Sequence, residues 1–157
     1  MFVCFVDFRK AYDSVRRDLL MQCLVDIGLH GHMLSTIMHM YWQAPMITKV
    51  GKNLGQPFDS TRGVKQGDPL SPLLFGIFID RVESWLESRA PGCGVQLGQQ
   101  LLQLLLYADD LALVCSSREQ LQTMLDALHA FCMEYDMPGR GYPEFLDWVS
   151  LHTLASM

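Results

Sequence analysis

Two kinds of apolar run alternate along the chain. Phe2-Val3-Cys4-Phe5-Val6 is unbroken and too short for a helix, so it reads as a buried strand that delivers Asp7 at its end. That strand starts at the first residue with nothing ahead of it to pair with, which reads as a piece of something longer. Downstream the period lengthens. Ser14 offers a cap for a helix reaching about residue 27, with Leu19, Leu20, Cys23, Leu24 and Ile27 on one face and Gly28 past its end. A second helix is predicted over about residues 33–42, closed by Pro45. Residues 46–50 read as a strand, 51–55 as a turn, and 57–61 as the partner strand.

The loop Arg62-Gly63-Val64-Lys65-Gln66-Gly67-Asp68-Pro69-Leu70-Ser71-Pro72 leads into a third helical pattern. Ser71 and Pro72 suit its cap and first turn, and Phe75, Phe78, Ile79, Val82, Trp85 and Leu86 share an inward face up to about Ser88. Residues 91–97 lead to a Gly98-Gln99-Gln100 turn. Residues 101–106 then form a strand entering Asp109-Asp110, and 111–115 return from it. Ser116 with Glu119 three residues on is a capping box for a last clear helix. Its stripe of Leu121, Met124, Leu125, Leu128 and Phe131 or Cys132 is core. From Met137-Pro138 the character changes: Pro138, Gly139, Gly141 and Pro143 end the helix, and in residues 144–157 Phe145, Trp148, Val149 and Leu151 would pack as a final helix. Mixed elements joined by short antiparallel turns predict an α+β fold, an antiparallel sheet with helices packed on one face.

Composition narrows the classes. The chain of 157 residues is half hydrophobic and only 18% charged, enough for one domain with a sizeable core. A net charge of -5 argues against gripping nucleic acid by its own basic surface, without excluding binding through metal ions or basic segments elsewhere. The five cysteines are odd in number, widely spaced and lack C-x-x-C, the pattern of a reduced, intracellular protein. His30 and His32 have no cysteine nearby, which argues against zinc. There is no secretory signal and no apolar run of membrane-spanning length.

The candidate chemistry lies in the acids. Asp109-Asp110 between two apolar runs is either an acidic surface turn or a cation site, since burying two unpaired anions together is costly. In an antiparallel sheet the end of the first strand and the tip of the acidic hairpin can lie side by side, gathering Asp7, Asp109 and Asp110. Such hard oxygen ligands suit Mg²⁺ or Mn²⁺, and two ions about 3.5–4 Å apart can hold both oxygens of an in-line phosphoryl displacement. The Gly-containing loop before residue 71 offers backbone N–H groups to anions, although its glycines follow no phosphate-loop spacing and an ordinary turn with a capped helix is the simpler local reading.

Three stretches, Phe5-Val6-Asp7-Phe8-Arg9-Lys10-Ala11-Tyr12-Asp13, the loop from Arg62 to Pro72, and Tyr107-Ala108-Asp109-Asp110, resemble three successive motifs of reverse transcriptases. The phrasing is closest to the LINE-type, non-LTR retrotransposon enzymes, then to those of group II introns, and covers about residues 2–136. The resemblance implies a polymerase palm that transfers deoxynucleotides to a primer 3′-OH on an RNA template. It implies Asp7, Asp109 and Asp110 as ligands of two Mg²⁺ or Mn²⁺ ions, with the backbone carbonyl of Phe8 assisting. Phe8, Arg9, Tyr12, Gln66 and Gly67 would meet the nucleotide, Tyr12 as a steric gate against a 2′-OH. Arg62, Lys65 and Tyr107 would meet template or primer, while Asp13 and Asp68 look structural, as cap or loop hydrogen-bonders. Residues 1–137 would be the palm and 138–157 a divergent tail. The family's basic fingers, Lys-containing motif, primer-gripping hairpin and thumb have no counterpart here, so little polymerase activity is expected of this chain alone. A nuclear setting is implied by the same resemblance. A non-catalytic remnant that only folds and binds is the second reading. An RNA-dependent RNA polymerase palm is the third, opposed by Tyr12 and Tyr107-Ala108.

Overall fold

The computed structural model describes residues 1–8, 10–42 and 45–137, and the backbone of 149–150. The first apolar run forms β1 (Phe2–Asp7) as its length dictates. The chain then makes a single turn, α1 (Ala11–Ser14), before α2 (Arg17–Asp26). Ser14 therefore does not cap the helix; its hydroxyl donates to the Lys10 carbonyl at 2.7 Å. Leu20, Cys23 and Leu24 are buried as expected, but Ile27 is exposed because the helix has already ended. Gly28 takes φ 90°, with its N–H on Val25 O and the N–H of Leu29 on Leu24 O, a Schellman closure.

Helix α3 (Gly31–Trp42) follows, then a hairpin shorter than expected: β2 (Lys49–Val50) and β3 (Asn53–Leu54) meet across Gly51-Lys52, and Met46 bridges to Phe58. The predicted long helix is two, α4 (Ser71–Ile79) and α5 (Arg81–Arg89), because the chain tightens at Asp80, where Glu83 N–H bonds Asp80 O. Its expected face is buried apart from half-buried Trp85, whose Nε1 donates to Ala127 O at 2.8 Å.

The strand expected over 101–106 is divided. β5 (Gln100–Leu102) pairs with β4 (Val95–Leu97), and β6 (Leu104–Tyr107) joins a different sheet. Buried Gln103 makes the break, its Nε2 donating to Ala90 O at 2.9 Å and its carbonyl accepting from Val114 N–H at 2.8 Å. β7 (Asp110–Cys115) returns, and α6 (Arg118–Glu134) follows. The cap lies one residue later than expected: Ser117 accepts from Gln120 N–H, and Gln120 reaches back to Ser116 N–H. Leu121, Met124, Leu128, Phe131 and Cys132 are buried core as the stripe required.

Among the described residues the main sheet has four strands, all antiparallel neighbours, in the order β6-β7-β1-β8, where β8 is Val149–Ser150. Residues 149–150 are thus strand rather than the expected helix; the rest of that predicted helix lies outside the described residues. Alternation sends Cys4, Val6, Leu111 and Leu113 into the helix-covered core. Val3, Ala112 and Val114 face the other way and are covered by Val95. Beyond them that outer face leaves Phe5 of β1 47% and Leu105 of β6 57% exposed.

Candidate active site

The rank at the end of the outer face is built by register alone. Asp7 of β1 stands opposite Asp110 of β7, and Asp110 opposite Tyr107 of β6. Directly opposed residues share a face with Cβ atoms about 4.5–5.5 Å apart, so Asp7 and Asp110 are neighbours and Tyr107 completes the row. Tyr107 is 83% exposed. Asp109 sits in the two-residue loop between the strands, behind Ala108, which is held left-handed at φ 54°. Such a φ costs a non-glycine residue about 1–2 kcal/mol. Among the described residues none of the three carboxylates has an ion pair or a side-chain hydrogen bond. Nor, among those residues, does any trio of His, Cys, Asp or Glu side chains stand gathered to hold a metal ion. The expected convergence of three acids is therefore an opposed pair, Asp7 and Asp110, with Asp109 alongside on the loop. The donor set is all carboxylate oxygen, which fits Mg²⁺ or Mn²⁺ rather than a softer metal.

The strand leaves this rank through Phe8, whose side chain is buried and whose carbonyl accepts from Ala11 N–H at 3.1 Å. Arg9 lies outside the described residues. Tyr12, one turn on, is half-buried and stacks on Phe75 of α4, ring centroids 4.5 Å apart and 19° from parallel. Against this turn lies the 62–68 loop. Gly63 N–H bonds Val15 O at 2.8 Å, and Val64 N–H bonds Tyr12 O at 2.9 Å. Gly63 has φ 79°, and a Cβ there would stand 3.0 Å from Asp13 Cα, so the approach admits glycine only. Gln66 Nε2 donates to Asp13 Oδ1 at 3.0 Å, and Asp68 Oδ1 accepts from Leu70 N–H at 2.9 Å. Asp13 and Asp68 are thus loop hydrogen-bonders. Gly67 is exposed at φ 83° with open space around it.

Arg62 and Lys65 both have partners in this structure. Arg62 is ion-paired with Asp136 beyond α6, and the Lys65 ammonium lies 5.5 Å from the Tyr41 ring. Ser71 does not cap α4 with its side chain; its hydroxyl donates to Lys65 O at 2.6 Å. Tyr41 OH lies 3.0 Å from Ser71 Oγ and is left to donate to it. The sequence reading missed Arg17. This residue is 3% exposed, and its guanidinium donates to the carbonyls of Gly63 at 2.9 Å, Tyr41 at 2.7 Å and Ser60. Burial pulls its pKa below the ordinary value, opposed by Tyr41. The signal was present: Arg17 stands three and seven residues before Leu20 and Leu24, a charge on the core-facing stripe.

An α+β sheet with an acidic cross-strand rank, backed by helices and flanked by this loop, has the form of a polymerase palm. The chain belongs to the reverse transcriptase (RNA-dependent DNA polymerase) family, which matches residues 1–138. It is similar to the retrovirus-related Pol polyprotein from type-1 retrotransposable element R2 of Nasonia vitripennis, 34% identical over 134 residues, 85% of this chain and 13% of that protein. The Pol polyprotein from type-2 retrotransposable element R2DM of Drosophila melanogaster is 30% identical over 125 residues, 80% of this chain and 12% of that one. These relatives place it among LINE-type enzymes. It spans about an eighth of their length. The fold is shared with apo telomerase from Candida Tropicalis truncated from the C-terminal domain, TM-score 0.61 at 18% identity over 87% of this chain and 28% of the other.

Proposed function

We propose that this chain is the palm of an RNA-directed DNA polymerase, with Asp7, Asp109 and Asp110 holding two divalent cations, assisted by the Phe8 carbonyl. The observation that carries the reading is the opposition of Asp7 and Asp110 at the exposed end of the sheet. When bound, the cations would supply activation of a primer 3′-OH and neutralise the departing pyrophosphate. The residues of the chain position the reactants. Tyr12, fixed by Phe75, stands as a wall under the sugar of a deoxynucleotide and clashes with a 2′-OH. Gln66 and Gly67 line the nucleotide, glycine allowing its backbone close approach. Tyr107, Arg62 and Lys65 lie towards primer and RNA template, Arg62 only after release from Asp136. Bulk grip on nucleic acid needs positive charge this acidic chain lacks, so template hold belongs to other segments of such a polymerase. As an isolated module it binds cation and nucleotide and extends primers little or not at all.

The test is Mn²⁺-dependent binding of a fluorescent dTTP analogue to the chain, with UTP as competitor. Binding should vanish in Asp7→Ala, and Tyr12→Ala should narrow the preference for dTTP over UTP. Nucleotide binding indifferent to Asp7 would refute the assignment, and unchanged sugar preference in Tyr12→Ala would remove the gate.

A further inference from the structure

A buried arginine without a carboxylate needs a reason. Taking a guanidinium out of water is costly unless its donors are satisfied, and Arg17 has no acidic partner among the described residues. Its acceptors are three backbone carbonyls from separate places: Tyr41 at the end of α3, and Ser60 and Gly63 on the approach to the Gln66-Gly67 turn. The Tyr41 ring lies 5.5 Å from its Cζ. Through Tyr41 OH, Ser71 Oγ and the Lys65 carbonyl the same set reaches the far side of the turn. The loop is therefore pinned before residue 64 by the arginine and after residue 64 by the serine, with Gly63 pressed on the backbone of Tyr12 and Asp13.

We propose that Arg17 is a positioning residue that clamps the 60–66 loop against the Tyr12 turn, so that Gln66 and Gly67 are presented to an incoming nucleotide in fixed geometry; this rests on the reading of that loop given above. The planar fork of arginine reaches several carbonyls in different directions, which the point charge of a lysine cannot reproduce. The clamp sets how well nucleotide is held and leaves the Asp7–Asp110 pair untouched, because nothing in the network contacts the carboxylates.

The experiment uses the whole chain, as wild type, Arg17→Lys, Arg17→Met and the exposed control Lys52→Ala. Amide hydrogen exchange is measured at Gly63 and Val64 and at Leu111–Val114, each scaled to the variant's global unfolding. Mn²⁺ affinity and Mn²⁺-dependent affinity for the fluorescent dTTP analogue are measured alongside. Arg17→Lys keeps the fold with a like charge if Arg17→Met does not. Expected in Arg17→Lys are faster exchange at Gly63 and Val64 only, dTTP affinity weaker by roughly tenfold as charge-assisted bonds are lost, and Mn²⁺ affinity unchanged. Loop exchange like wild type, or dTTP affinity unchanged beside wild-type binding, would overturn the proposal. Accelerated loop exchange in a chain whose wild type ignores dTTP would support the clamp while removing the nucleotide role proposed for the loop.

Discussion

At the scale of the residue, the proposed cation binding by the acidic rank would be set against stability. Asp7 and Asp110 stand directly opposite each other, and like charges so placed destabilise a sheet by roughly 0.2–1 kcal/mol. Asp110→Asn should therefore raise stability by about that much in EDTA, read from urea unfolding, while weakening Mn²⁺ binding. A destabilised Asp110→Asn would show that the pair is not repulsive. The two loop glycines answer differently to substitution. Gly63→Ala puts a methyl 3.0 Å from Asp13 Cα at φ 79° and should cost about 2–4 kcal/mol, whereas Gly67→Ala meets open space at φ 83° and should cost about 1 kcal/mol. Equal losses in thermal or urea unfolding would contradict the close contact between loop and Tyr12 turn. The three motif stretches were legible in the sequence because they follow one another in a set order, although each alone reads as an ordinary turn. Arg17 was not, since a single charge in an apolar stripe looks like a tolerated exception until its three carbonyls are seen.

At the scale of the element, pattern read core faces better than boundaries. The stripes of α2 and α6 and the face shared by α4 and α5 are buried where period alone placed them, apart from exposed Ile27 and half-buried Leu19, Trp85 and Leu125. The ends moved for local reasons that apolar periodicity does not carry: Ser14 bonds its own turn, Ser117 rather than Ser116 takes the cap, and Gln103 splits a strand by satisfying Ala90 O. Electrostatics joins elements as well. Asp26 at the end of α2 is held below the usual carboxylate range by the Gln22 amide and by Arg81 of α5. A depressed carboxylate stabilises above its ordinary pKa and loses that contribution as pH falls through the lowered value. Asp26→Asn should therefore flatten the fall in Tm below about pH 5, with added salt shrinking only the share owed to Arg81 and leaving that of the Gln22 amide. Parallel acid profiles for wild type and variant would show that the pair contributes nothing.

At the scale of the whole molecule, one face of the sheet is covered by helices, and the proposed cation site stands at the exposed end of the other. The helices bury Cys4, Val6, Leu111 and Leu113, fixing the register of β1 on β7, and that register alone brings residue 7 beside residue 110 across a separation of more than a hundred positions. A slip of β1 by one residue would turn Asp7 into the core and away from Asp110, so packing on one face fixes which carboxylates meet on the other. The Mn²⁺-induced broadening of backbone NMR signals tests this most directly, since the paramagnetic ion reports its own position. Broadening centred on Asp7, Phe8, Asp109 and Asp110, and abolished together in Asp7→Asn, is the expected result. Broadening centred elsewhere, on the acidic residues of α5 for instance, or unchanged in Asp7→Asn, would contradict it.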